Sequence, residues 1–142
     1  MTLQRTLTQI MALKFQKTRK SASTFYDDVR RNLIENLAPW NPQFDYLPIS
    51  NRDDLIVDIY IESKRPIYIY AARDDQRYLR AGITCAQFVQ HGLPFRSLLL
   101  VEDEKAISLA NWKTVTNIVD KQFIGTDDIL KSVPDFVRRE VA

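Results

Sequence analysis

Residues 55–72 read LIVDIYIESKRPIYIYAA. Aliphatic side chains fall at Leu55, Val57, Ile59 and Ile61, then at Ile67, Ile69 and Ala71. Between them stand Asp58, Tyr60 and Glu62, then Tyr68 and Tyr70. A period of two on both sides of Ser63-Lys64-Arg65 predicts two antiparallel strands, at about 54–62 and 66–72, with one aliphatic face. Slipping the register by one residue would turn every side chain over, so odd positions must pair with odd. Tyr60 is then expected opposite Tyr68, and Asp58 opposite Tyr70.

Upstream, Gln43–Ile49 is a plausible first strand, with Pro48 marking an edge or an end. Before it, Phe25, Val29, Leu33 and Leu37 repeat every four residues and predict a helix over 25–37 with Ile34 alongside. Thr24 and Asp27 resemble a capping box at its start, and Pro39 and Pro42 end it around Trp40. Residues 3–20 predict a further amphipathic helix through Leu3, Leu7, Ile10, Met11 and Phe15, ending in Lys14, Lys17, Arg19 and Lys20. We therefore divide the chain into an N-terminal helix, 1–22, and one α/β domain, 23–142. The basic end suits a helix C-terminus; a phosphate-facing patch, or a stripe that drives self-association, is the alternative.

Downstream, Arg73-Asp74-Asp75 opens a helix of about 75–91, closed by His91-Gly92. Ser97–Val101 is a short apolar run that predicts a strand buried on both faces. Ala106–Ala110 predicts a short helix, Asn111–Phe123 a longer one through Trp112, Val115, Val119 and Phe123, and Asp127–Ser132 a last short one. Pro134–Ala142 is expected to fray. The order gives a mixed four-stranded sheet with helices on its faces.

Composition narrows the function classes. The 142 residues are 45% hydrophobic and 27% charged, ordinary for a soluble globular domain. Three glycines and no phosphate-loop pattern argue against nucleotide binding of that kind. One cysteine and one histidine exclude an intramolecular disulfide and a Cys/His zinc cluster. No apolar run approaches the roughly 20 residues that span a bilayer, so no membrane partner and a cytoplasmic location are expected. The net charge of +2 permits nucleic acid without arguing for it.

The layout over Phe25–Val101 resembles the αβββαβ core of the restriction-endonuclease-like, or PD-(D/E)xK, superfamily. The Phe25-x-Asp27-Asp28-Val29 helix start is also similar to C-terminal domains of small bacterial and phage proteins of unknown function. The superfamily resemblance implies Mg²⁺-dependent phosphodiester cleavage, with an Asp on the second strand and a (D/E)-x-K on the third. The carboxylates would hold the metal and the lysine would help activate water. Asp58 matches the first position. Register puts Tyr68 and Tyr70, or Tyr70 and Ala72, where the acid and lysine belong. Glu62-Ser63-Lys64 has the right letters but lies at the turn, with Glu62 about 13 Å along the strand from Asp58.

The sequence therefore reads as a degenerate, non-catalytic member of that layout: a binding domain of bacterial or phage origin, in defence, counter-defence or mobile-element settings. A protein partner is expected, with Tyr60, Tyr68 and Tyr70 as an aromatic binding face or as a second core layer. Homo-oligomerisation through the first helix is the variant of that reading. Nucleic-acid binding through Lys14, Lys17, Arg19, Lys20, Arg30 and Arg31 is one alternative. A nuclease with a rearranged Asp58, Glu62 and Lys64 site using Mg²⁺ is the other. Cys85 and His91 have no partner in sequence and are read as structural.

Overall fold

A computed structural model describes residues 24–142. The expected helix over 3–20, with Lys14, Lys17, Arg19 and Lys20, lies outside them. The first described element, α1, covers 24–36; Thr24 is itself helical, which corrects the expectation that it caps the helix start. Then come a 3₁₀ turn (Ala38–Trp40), β1 (Gln43–Tyr46), β2 (Val57–Ile61), β3 (Ile67–Ala72), α2 (Asp75–Gln90) and β4 (Arg96–Val101). A second 3₁₀ turn (Glu104–Ala106), α3 (Leu109–Thr116), β5 (Lys121–Ile124) and α4 (Thr126–Val141) complete the order.

The five strands form one mixed sheet in sequence order. β1–β2 and β2–β3 are antiparallel, while β3–β4 and β4–β5 are parallel. Tyr60 pairs with Tyr68 and Ile59 with Ile69, the odd-with-odd register that the aliphatic pattern requires. The two faces carry separate cores. Ile59, Ile61, Ile67 and Ile69 pack with Leu98 and Leu100 under α1 and α4. Tyr60, Tyr68, Tyr70, Leu99 and Val101 pack with Tyr78, Cys85, Phe88 and Val115 under α2 and α3. Phe25, Val29, Leu33 and Leu37 bury their shared face as expected, whereas Ile34 is exposed.

The expectation of four strands is corrected to five. Val115 and Val119 are buried at helical spacing, which made a helix to Phe123 look continuous. α3 ends at Thr116 instead. Asp120 then anchors the returning chain: its Oδ2 accepts the Ser97 N–H at 2.8 Å, and its own N–H donates to Ser97 Oγ at 2.8 Å. The four residues of β5 are too few to show an alternation of their own.

The last helix also differs from expectation. α4 continues through Pro134 to Val141. Proline inside a helix costs about 3 kcal/mol. Beyond the proline Val137 is fully buried and Phe136 and Val141 pack against the same core, at about 1.5–3 kcal/mol for a fully buried side chain, and together they offset the lost hydrogen bond.

Candidate functional site

β2 and β3 part beyond the Ile59–Ile69 pair, and Asp58 lies where they do so. Its Oδ2 accepts the Ala71 N–H at 3.0 Å, in place of a ladder carbonyl. Its Oδ1 stands 3.6 Å from Arg77 Nη2. Burial pushes the Asp58 carboxyl above its ordinary value; the Ala71 N–H and the Arg77 charge pull the other way, and the nearby Asp45 charge adds to the rise.

Asp45 lies on β1 between Phe44 and Tyr46, which pair with Ile59 and Val57. It therefore sits across from Asp58. Two like charges at opposed strand positions repel. Asp45 has φ 53°, in the left-handed region, which aspartate tolerates better than most residues. Its carboxylate meets Arg30 of α1 at 3.3 Å, and the Arg30 guanidinium also covers the Phe44 ring at 4.6 Å.

Arg77 ties this corner to α1. Its guanidinium lies 4.3 Å from the Tyr26 ring centre, and the Tyr26 hydroxyl accepts the Arg73 N–H at 3.0 Å. Asp74 is the N-cap of α2 and accepts the Arg77 N–H at 2.8 Å. Asp75 accepts the Ser108 N–H, which joins the starts of α2 and α3 and holds its carboxyl below the usual range.

Between α2 and the loop that precedes β2 runs a cleft of about 970 Å³. Asp58, Tyr70 and Ala71 lie along it with Asp45, Asp53, Asp54 and Asp74; the lining cations are Arg77 and Arg80. Leu55, Ile56, Leu79 and Ile83 add apolar surface, and Ile56 and Ile83 are 41% and 49% exposed. Asp54 is held by Arg52 at 2.8 Å. Among the described residues, no group of three or more His, Cys, Asp or Glu side chains is arranged to hold a metal ion.

The structure does not bring the sequence-predicted residues into one site. Asp58 is at one end of β2; Glu62 and Lys64 are exposed in the turn at the other end. Tyr60, Tyr68 and Tyr70 are 8%, 4% and 4% exposed. The first two belong to an aromatic stack beneath α2: Tyr46 lies on Tyr60 at 3.9 Å, and Phe95 on Tyr68 at 4.6 Å. The tyrosine face is thus a core layer, and it presents little area to a partner. Among the described residues, the Tyr70 hydroxyl is buried beside the Cys85 thiol with no hydrogen-bond partner of good geometry. Burial pushes the Cys85 thiol up to about 12. Arg30 and Arg31 are on the exposed side of α1. His91 caps the end of α2, with Gly92 at φ 73° just beyond.

Sequence reasoning missed the cleft. Its walls are an irregular loop and the side of a helix, and neither carries a periodic signal. The adjacent acids Asp53 and Asp54 are the one local signal of it.

Chain and sheet together define a mixed α/β protein. Comparison with protein-family models, with curated proteins and with solved structures finds no match. No helix among the described residues is long and apolar enough to cross a membrane.

Proposed function

We propose that the chain is a non-catalytic binding domain on a restriction-endonuclease-like layout, and that the cleft beside α2 takes a protein partner. The αβββαβ core would then correspond to α1 through β4, with α3, β5 and α4 as an extension. The observation that carries the reading is the use made of Asp58. Its two oxygens are engaged by the Ala71 N–H and by Arg77, and Tyr70 and Ala72 stand on β3 where a second acid and a lysine would be required. Three of the five lining aspartates are paired, Asp45 with Arg30, Asp54 with Arg52 and Asp58 with Arg77; the exposed aliphatic surface of Ile56 and Ile83 is what favours a protein segment over a phosphate backbone in this cleft. A bacterial or phage defence, counter-defence or mobile-element role fits such a domain, by analogy of fold alone.

The test uses the whole purified chain with Mg²⁺ or Mn²⁺ on labelled single- and double-stranded DNA and RNA. Cleavage no greater than that of Asp58→Ala is expected. Metal-dependent cleavage that Asp58→Ala abolishes overturns the reading. Binding is read separately, by capture of protein partners with wild type and with Asp53→Lys/Ile83→Asn, whose altered side chains line the cleft.

A further inference from the structure

The two edges of the sheet differ. β1 and β5 each pair with one strand only. Bulges, prolines and charge blunt a sheet edge and stop a further strand from adding to it. β1 has these devices: Asp45 at φ 53° interrupts its extended backbone, the Asp45 carboxylate is exposed, and Pro42 and Pro48 flank the strand. β5 has no proline and no left-handed residue between Lys121 and Ile124.

The backbone of β5 points alternately toward β4 and away from it. Its register with β4 runs from Leu98↔Lys121 to Val101↔Ile124, and the Gly125 N–H donates to the Val101 carbonyl at 2.8 Å. In an extended strand the N–H and C=O of one residue point to one side, and those of the next residue to the other. Lys121, Phe123 and Gly125 therefore face β4. Gln122 and Ile124 turn their backbone groups to the outer edge, where no strand among the described residues pairs with them.

The side chains of β5 alternate as well. Gln122 stands on the α2–α3 face, where it bonds Tyr78 and Thr116. Phe123 stands on the α4 face and meets Phe136 edge to face, with ring centres 6.2 Å apart. A groove of about 380 Å³ lies there between β5 and α4. Its two acids are already paired: Asp135 with Arg138 and Arg139, and Glu140 with Arg96 at 3.2 Å. Lys121 and Lys131 also line it and are exposed, and among the described residues neither forms an ion pair. The uncompensated charge of the groove is thus positive. No residue lines both this groove and the cleft beside α2.

We propose that β5 is a docking edge, which takes an extended acidic segment of a partner protein as an added antiparallel strand. Gln122 and Ile124 exchange backbone hydrogen bonds with alternate residues of that segment. The residues between them fall opposite Lys121 and Phe123, so their carboxylates reach Lys121 and Lys131. A second copy of this chain brings the same lysines to the edge, and like charge disfavours it.

The test adds a fluorescein-labelled peptide of alternating threonine and glutamate to the whole chain and follows its anisotropy. Saturable binding is expected, about tenfold tighter than that of the threonine–lysine counterpart. Full N-methylation of the peptide, which removes every backbone donor, should abolish it. In amide NMR spectra the Gln122 and Ile124 signals should move most. Lys121→Glu/Lys131→Glu, at two exposed positions, should reverse the preference between the two peptides, with circular dichroism to check the fold. Absent binding, equal affinity for both peptides, or binding that survives N-methylation overturns the proposal. So does a dimer of the chain that Ile124→Pro breaks, which would give the edge to a second copy. Asp53→Lys/Ile83→Asn should leave the peptide's affinity unchanged, so the edge and the cleft can fail separately.

Discussion

The Asp58 carboxylate accepts the Ala71 N–H at 3.0 Å where β2 and β3 part. A side chain here does the work of a strand carbonyl. The carboxylate closes the sheet's own hydrogen-bonding.

Asp58→Ala leaves that N–H without its acceptor and Arg77 without its counter-charge. A loss of roughly 1–3 kcal/mol is expected, read by urea unfolding. Asp58→Asn keeps an oxygen in place and should lose less. Burial raises the folded carboxyl above its ordinary 3.8, so the folded state holds this proton more tightly than the unfolded state. The contribution is fully present below pH 3.8 and is lost as pH rises through the raised folded value. The stability difference between wild type and Asp58→Asn should therefore move against wild type across that window.

Tyr70 and Tyr78 make a matched pair of hydroxyl deletions. Among the described residues the Tyr70 hydroxyl is buried with no hydrogen-bond partner of good geometry, whereas the Tyr78 hydroxyl donates to Gln122 Oε1 at 2.8 Å. Tyr70→Phe should be neutral or slightly stabilising, and Tyr78→Phe should cost about 1 kcal/mol. Thermal melts of the two variants side by side read the contrast.

Tyr60→Ala and Tyr68→Ala distinguish a core layer from a binding face. Each should lower stability by about 3–5 kcal/mol, the range for removing a buried aromatic ring. Retained stability with lost partner capture would return these tyrosines to a binding role.

Alkaline pH should weaken the fold. Burial pushes Cys85 from 9.0 to about 12 and Tyr68 from 10.0 to about 12. Between those values the unfolded chain releases protons that the folded chain retains. Stability present below pH 9 is lost as pH rises toward 12. Cys85→Ala should flatten the lower part of this decline, measured by urea midpoints from pH 8 upward.

Gly82 lies where α2 meets α3. A Cβ there would come within 2.7 Å of Val115 Cγ2. Gly82→Ala should therefore destabilise by about 1–3 kcal/mol through overpacking, despite a helix-propensity gain of about 1 kcal/mol. Combining it with Val115→Ala should cost less than the sum of the two single losses, which a double-mutant cycle in urea measures.

The central hairpin, its register and its aliphatic core face were legible from residues 55–72 alone; the burial of the tyrosine face was not. Side-chain direction in a strand alternates with every residue, so which face meets the core is written in the local pattern. The absence of an acid and a lysine opposite Asp58 followed from that register. The α1 face and the start and end of α2 were legible for the same reason, through helical period and capping chemistry. Tertiary structure alone decided that Lys121–Ile124 leaves α3 to become a fifth strand, because Ser97 and β4 supply its partners. It alone carried α4 through Pro134, because packing of Phe136, Val137 and Val141 beyond it offsets a local penalty. It turned Asp45 toward Arg30, and it set an irregular loop against α2 to make the cleft. Those outcomes depend on what residues far apart in sequence do to one another, and no local period records that.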